Sequence, residues 1–476
     1  MVAALLAIPT PGAAAEPCGS RNCRPDVGPR PGVSCSTRSV KLRPRRQLQA
    51  AIDENPPGTV FCFRRGTYRL KAPLLPKSRD VFIGERGAVL RGSKVVSDWS
   101  RQDGYWVAAG QHQENEVIAG VPCLPGIDCN RPEALFVDRR QLVQVTSLQA
   151  VRPGEFFFDY TSDTIYMVDD PRGHRVEASV AAGAFRSTSH YAEDVVIRNL
   201  VIERFANPSR TGAIYTSVSP GWVIRDSEIA DNHGVGISHT DGASVLNNEI
   251  HHNGQIGVGG FRARNVLVQD NEIARNAIGG FAGWEAGGAK YVLSTNLTFR
   301  GNYVHDNRHH GLWTDTGNVG TKFLRNTIVR NAGSGIFHEK SGRCLIRGNY
   351  IARNRADGIF ISTSSNVEVD GNALVRNRGW GVHLFVDGLD AVDYDLADNL
   401  IHDNRLVMRE GALNGIQTSN VADPSPYSTS KGNRFRSNHY RVPDLSGRYW
   451  AWDGNFLNWR GWRDAGQDRN GAVRTT

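Results

Sequence analysis

Asparagine recurs in this chain at a spacing that leaves few architectures open. A phrase of Asn, apolar pair, polar pair, Asn, loop, Gly and apolar strand occurs twice between residues 302 and 349, starting at Asn302 and Asn326. Its first Asn can be placed at Asn248, Asn271, Asn302, Asn326, Asn349, Asn372, Asn399 and Asn433, with Ser227 in the slot one repeat earlier, at intervals of 21, 23, 31, 24, 23, 23, 27 and 34. A second Asn follows five residues later, from Asn232 to Asn438, and in most repeats a Gly stands nine after the first. A period of this length belongs to solenoids, propellers or arrays. The repeats contain period-two apolar runs such as Ile359-Phe360-Ile361 and no helical stripe, which predicts two or three short strands per unit. Paired Asn residues suit left-handed turns, and each can hydrogen-bond the same residue one coil above.

With this repeat the chain resembles the right-handed parallel β-helix superfamily, which includes pectate lyases, many glycoside hydrolases and uronate epimerases. The resemblance runs from Gln49 to Asn438. It implies an all-β, right-handed parallel β-helix solenoid with an N-terminal cap helix and a small antiparallel β insert. Residues 46–96 contain LQAAIDENPPGTVFCFRRGTYRL and GERGAVLRGS, similar to the cap and first coils of that superfamily; open strand edges and an exposed apolar end make a cap necessary. Over 97–187 the phrase vanishes, and EALFVDRRQLVQVTS and GEFFFDYTSDTIYMVDDP alternate as antiparallel hairpins do. The repeats occupy 188–440. The tail 441–476, with four Trp in GRYWAWDGNFLNWRGW, predicts a C-terminal cap or a sugar-stacking surface.

The first 15 residues combine an apolar run, a Pro-Gly break and Ala13-Ala14-Ala15, as in a secretory signal whose basic start is missing. Seven cysteines agree with an oxidising compartment: Cys18 and Cys23 lie in a Cys- and Pro-rich tail at 16–45, and Cys123 and Cys129 are six apart. Together these predict secretion. No run reaches the length of a membrane span, and no cysteine pair has histidine-backed zinc spacing. The net charge of +8 is mild; Arg275, Arg330, Arg353 and Arg376, each just before a second Asn, form a stripe that suits a solvated edge or an anionic glycan better than nucleic acid.

Counting from the asparagines also locates candidate chemistry. Asp315 and Glu339 stand thirteen residues after Asn302 and Asn326, and Glu285 stands fourteen after Asn271 in a repeat lengthened by the loop GWEAGGAK. Strand alternation turns Leu312, Ile336 and Ile359 inward and the acids outward, beside an outward row of Trp313, Phe337, Phe360 and His383. Apolar sugar faces stack on rings, one acid protonates a leaving oxygen, and a second carboxylate attacks or activates water. Neighbouring strands lie roughly 4.8 Å apart, so Asp315 and Glu339 suit the roughly 5–5.5 Å of a retaining pair; Glu285 with Glu339 spans two coils, nearer an inverting pair. An outward carboxylate on such a rod is otherwise simply solvated.

The phrases GWEAGGAKY, GLWTDTGN and GIFHEKSG resemble a group of secreted bacterial β-helix proteins presumed to act on carbohydrates. That resemblance implies catalytic roles for Glu285, Asp315 and Glu339. Substrate contacts are expected from Trp284, Trp313, Phe337, Phe360, His383, Lys290, His310 and His338, although the inward phase of His338 also fits a core residue. The polygalacturonase Asn-Thr-Asp, Asp-Asp and His-Gly set and the pectate-lyase Arg-x-Pro-x-x-Arg phrase are absent. The expectation is a secreted glycoside hydrolase needing no metal or cofactor and acting on a polysaccharide or oligosaccharide, with an anionic glycan among the candidates. The alternatives are a polysaccharide lyase or uronate epimerase using Ca²⁺ and a His or Lys base, and a non-catalytic glycan-binding β-helix.

Overall fold

The computed structural model describes residues 26–44, 47–187, 191–389 and 394–476; the proposed signal and the cysteines at 18 and 23 lie outside them. Each coil contributes one short strand to each of three long sheets. In one coil Thr298–Arg300 joins the first sheet, Tyr303–His305 the second and His310–Asp315 the third. The sheets hold 13, 13 and 12 strands, parallel from coil to coil, and the described residues include only three short α-helices. Registers run like on like, as in Phe299↔Phe323↔Ile346, Val304↔Ile328↔Ile351 and Leu312↔Ile336↔Ile359. The inward residues therefore stack into one apolar column, with the Phe299 and Phe323 rings 5.0 Å apart, and removal of that column from water drives folding.

The asparagines line the corners as buried ladders. Asn331 Nδ2 donates to the Asn354 side-chain oxygen at 3.0 Å and to Val304 O at 3.2 Å, while its own oxygen accepts from Asn307 Nδ2 at 2.9 Å. The left-handed conformation expected of these Asn residues belongs instead to the residue before each: Arg275, Arg330, Arg353 and Arg376 have φ between 53 and 58°. The arginine stripe is thus a row of turn residues, and Arg330 pairs with Asp306 of the preceding coil at 2.8 Å. The phrase also slips once. From Asn372 the first ladder passes to Asn404 and Asn438, whereas Asn399 and Asn433 continue a third ladder through Asn318, Ser341 and Ser364. The cause is the long connection between Val382–Asp387 in the third sheet and Leu400–His402 in the first, which adds residues at a different corner.

The glycine nine after the first Asn of most repeats has a steric origin. A Cβ on Gly335 would lie 2.5 Å from Ile351 Cγ2, 2.8 Å from Gly358 O and 2.9 Å from Asn354 Nδ2. Replacing Asn331 by Ala orphans buried groups on both neighbouring coils, each worth about 1–3 kcal/mol. We expect urea unfolding of Asn331→Ala to show a loss of at least that size; an unchanged midpoint would mean the ladder contributes nothing.

Antiparallel pairing begins at Ser93–Val95, which already pairs with Val176–Ser179 before residue 97, and it ends before Phe185–Arg186 joins the third sheet. The resulting four- and five-stranded sheets have their own core around Phe156, Phe158 and Met167. They meet the rod at Glu177, a fully buried carboxylate contacted by Arg69 (2.5 Å), Arg175 (2.6 Å), Arg204 (2.9 Å) and Arg91 (3.3 Å). A disulfide joins Cys35 to Cys62 near the cap helix Leu48–Asp53, another joins Cys123 to Cys129, and Cys344 is a buried free thiol. At the far end Trp450, Trp452 and Trp462 are buried against Phe435 and Tyr440, so these rings close the column and offer sugars no face. The solenoid itself continues into the tail, where Ala472–Thr475 pairs in parallel with His439–Val442. No described helix is long and apolar enough to cross a membrane.

Candidate active site

The outer face of the third sheet carries the chemistry. Strands Gly287–Val292, His310–Asp315, Ile336–Glu339, Ile359–Ser362 and Val382–Asp387 lie side by side on successive coils. Trp313↔Phe337 and Thr314↔His338 are register partners, so Asp315 and Glu339 come next in step on adjacent strands, roughly 4.8 Å apart. Asp315 faces Val292 on the coil before, and Glu339 faces Ser362 on the coil after.

The two carboxylates have different surroundings. Lys290 Nζ sits 3.1 Å from Asp315 Oδ2, and the Thr316 hydroxyl donates to Asp315 Oδ1 at 2.8 Å. Glu339 accepts a side-chain hydrogen bond from Trp313 Nε1 at 3.2 Å. Burial and then the charge of Asp315 push the Glu339 carboxyl up to about 7, against the smaller opposing pull of Lys340, Lys290 and the Trp313 bond. One carboxylate thus faces an ammonium while its neighbour, Glu339, keeps its proton near neutrality, as a general acid must.

Glu285 does not join them. Its carboxylate, 5% exposed, is held by Arg210 through Nη2 and through Nε at 3.2 Å, and by Gln255 Nε2 at 3.3 Å. Counting from Asn271 fails because the extra residues precede the strand: Val292, seven residues after Glu285, is the partner of Asp315. The same count of thirteen from Asn248 does find Phe261, which shares this row through Val292 and is 58% exposed.

The aromatic row also differs from expectation. Trp313, Phe337, Phe360 and His383 lie in one register row but stack on one another, with centroids 5.2, 4.6 and 4.8 Å apart. Lys290 covers the outer face of Trp313 at 3.8 Å, and Trp380 covers His383 at 4.1 Å. The identical spacing that aligns these rings turns their faces towards one another, leaving Trp313, Phe337 and His383 buried and Phe360 half-buried. Trp284, at 55%, is the exposed ring next to the pair: its carbonyl accepts from the same Lys290 Nζ at 2.5 Å.

The three histidines are engaged within the protein, His338 and His383 buried and His310 half-buried. His338 points inward, is fully buried, and shares a 2.7 Å hydrogen bond with the Thr314 hydroxyl; burial takes its imidazole down to about 3. His310 accepts from Ser334 N at 3.0 Å, packs against Trp313 and Phe337, and is likewise lowered to about 3 by burial and then by His309 and Lys290. His383 Nδ1 lies 3.0 Å from Asp357. Glu368, Asp370 and His402 are the one group of described residues arranged to hold a metal ion, but they lie on the first sheet, where Arg347 already bonds Glu368 at 2.8 Å and Asp370 at 2.6 Å. Arg210 and Gln255 were not legible in the sequence, since nothing in the repeat phrase marks them.

A family model described as the right handed beta helix region matches residues 211–374 and 320–448, which together span half of the chain. No curated protein matches the sequence. Among solved structures, that of XylC with xylose is 17% identical, covering 83% of this chain and 80% of that one, with a TM-score of 0.65. The A-module of the mannuronan C-5 epimerase AlgE6 of Azotobacter vinelandii is 12% identical, covering 90% and 93%, with a TM-score of 0.51. At these identities the likeness is one of fold.

Proposed function

Because the chain belongs to the right-handed β-helix family, we propose that it uses this scaffold as a retaining glycoside hydrolase, with Asp315 as nucleophile and Glu339 as acid and base. The observation that carries this is the adjacent-strand pair with unlike surroundings, on strands whose spacing of roughly 4.8 Å is compatible with the roughly 5–5.5 Å between the carboxyls of a double displacement. Protonated Glu339 donates to the leaving glycosidic oxygen as Asp315 attacks the anomeric carbon, breaking the glycosidic bond and forming a glycosyl ester. Glu339, now ionised, takes a proton from the incoming water, whose oxygen displaces Asp315; both carboxyls return to their starting states.

Lys290 bears on the kind of sugar. Its three donors are directed at the Trp284 carbonyl, the Asp315 carboxylate and the Trp313 ring, leaving none for a sugar carboxylate. That favours a neutral ring beside Asp315 over a uronate. Elimination or epimerisation needs a base at C5; His338 is fully buried, and half-buried His310 already accepts from Ser334 N through Nδ1, which makes both poor candidates. The disulfides support export to an oxidising compartment. On a panel of plant and bacterial cell-wall glycans we expect new reducing ends without the ultraviolet absorbance of an unsaturated uronide. Products with that absorbance, or an epimerised chain with no new ends, would contradict hydrolysis.

A further inference from the structure

Glu285, Trp284 and Gly283 form a single 3₁₀ turn whose Trp284 carbonyl shares the Lys290 ammonium with Asp315. The turn is fastened along its length. Ahead of it, Ala282 N donates to Pro122 O at 2.9 Å and Leu124 N to Gly280 O at 2.8 Å, which ties it to the loop closed by the Cys123–Cys129 disulfide. Gly283 lies against His309, and a Cβ there would be 2.3 Å from His309 Nε2. The Trp284 carbonyl is held by Lys290. Behind it, Glu285 is gripped by Arg210, and Gln255 closes the arrangement by accepting from Arg210 N at 2.6 Å and donating to Glu285. Within this fixed turn one large group has been left in solvent, the indole of Trp284.

We infer that Glu285 is a positioning residue: with Arg210 and Gln255 it clamps the turn so that the exposed Trp284 ring is a pre-organised platform for the apolar face of the sugar bound at Asp315. The physical logic is that a rigid aromatic loses little entropy when a ligand stacks on it, whereas a ring on a loose loop must first be ordered. One ammonium links the platform to the reaction centre, since Lys290 Nζ touches both the Trp284 carbonyl and Asp315. This assignment rests on the hydrolase reading for the identity of the site, and it gives Glu285 a role other than acid or base.

Two measurements test it. In steady-state kinetics on the glycoside that the wild type cleaves, Trp284→Ala and Glu285→Gln should each raise KM about tenfold, which is about 1.4 kcal/mol and within the range of aromatic stacking. Both should leave kcat and the alkaline limb of the pH profile within twofold, and Trp284→Phe should recover most of the loss. An unchanged KM in Trp284→Ala, or a kcat at least 100-fold lower with unchanged KM in Glu285→Gln, overturns the proposal. Trp284 is a surface ring, so its variant keeps the test valid if Glu285→Gln does not fold. The second measurement needs no turnover: xylose, glucose, mannose and galacturonate are titrated against Glu339→Gln while tryptophan fluorescence is followed. A saturable change that disappears when Trp284→Ala is added supports the platform even if the protein hydrolyses nothing, which separates the two claims. No change with any of the four sugars overturns it.

Discussion

Glu339→Gln should lower kcat by about 10²–10⁴-fold, the range expected when a positioned general acid is lost, while the fold remains intact. The amide keeps the shape of the side chain and can still accept from Trp313 Nε1, so the loss isolates proton transfer. The wild-type pH profile should fall as pH rises through about 7, because the acid must carry its proton to work and burial together with Asp315 holds that proton up to about 7. Asp315→Asn removes one of the two raising influences. Titration of Glu339 in that variant should therefore move downward yet stay above an ordinary glutamate, because burial remains. Stability should follow pH in the same direction. A carboxyl raised in the folded state favours folding at low pH, and this contribution is lost as pH rises from the unfolded value of 4.5 towards about 7. Glu339→Gln should accordingly gain thermal stability on the wild type at pH 8 relative to pH 5. Equal shifts at both pH values, or a Glu339 titration unchanged in Asp315→Asn, would show that the two carboxyls do not act on one another.

Glu177→Ala should cost about 3–5 kcal/mol, because removing one partner of a buried ion cluster leaves the others uncompensated. Here the survivors are Arg69, Arg91, Arg175 and Arg204, all converging where the antiparallel sheets meet the rod. Burial alone would raise the Glu177 carboxyl, but Arg69, Arg91, Arg175 and the Ser93 hydroxyl outweigh it and hold it down to about 2. With a depressed folded value the sign is the usual acid one. The stabilisation is fully present above the unfolded 4.5 and is lost as pH falls through about 2. Urea unfolding at pH 7 should show the full loss for Glu177→Ala, and the difference from wild type should shrink between pH 4.5 and 2. A loss below about 1 kcal/mol at pH 7 would mean the joint is held by its apolar contacts alone.

The repeat made the solenoid legible because its signals are local and redundant: each Asn, each Gly and each inward aliphatic residue is restated on every coil. It also placed Asp315 and Glu339 together, since no insertion separates Asn302 from Glu339. It misplaced Glu285 and confused Asn399 with Asn404 for one reason. A periodic count assigns extra residues to a repeat but not to a corner of that repeat, and the residues added before Gly287 and after Asp387 enter at different corners. The stacked Trp313–Phe337–Phe360–His383 row shows a second limit. Spacing predicts which side chains share a face, but not that rings about 4.8 Å apart will spend their faces on each other. Arg210 was invisible because its partner is far along the chain, and the sequence carries no mark of that pairing.

The central claim, that Asp315 is the attacking carboxylate of a pair completed by Glu339, is tested most directly by trapping. The protein is incubated with a 2-deoxy-2-fluoro glycoside of the sugar it cleaves, digested and mapped by mass spectrometry. A single glycosyl ester on Asp315, formed in the wild type and absent from Asp315→Asn, is the result expected. An ester on Glu285 or Glu339, or turnover with no ester and an inverted anomer, would contradict the account.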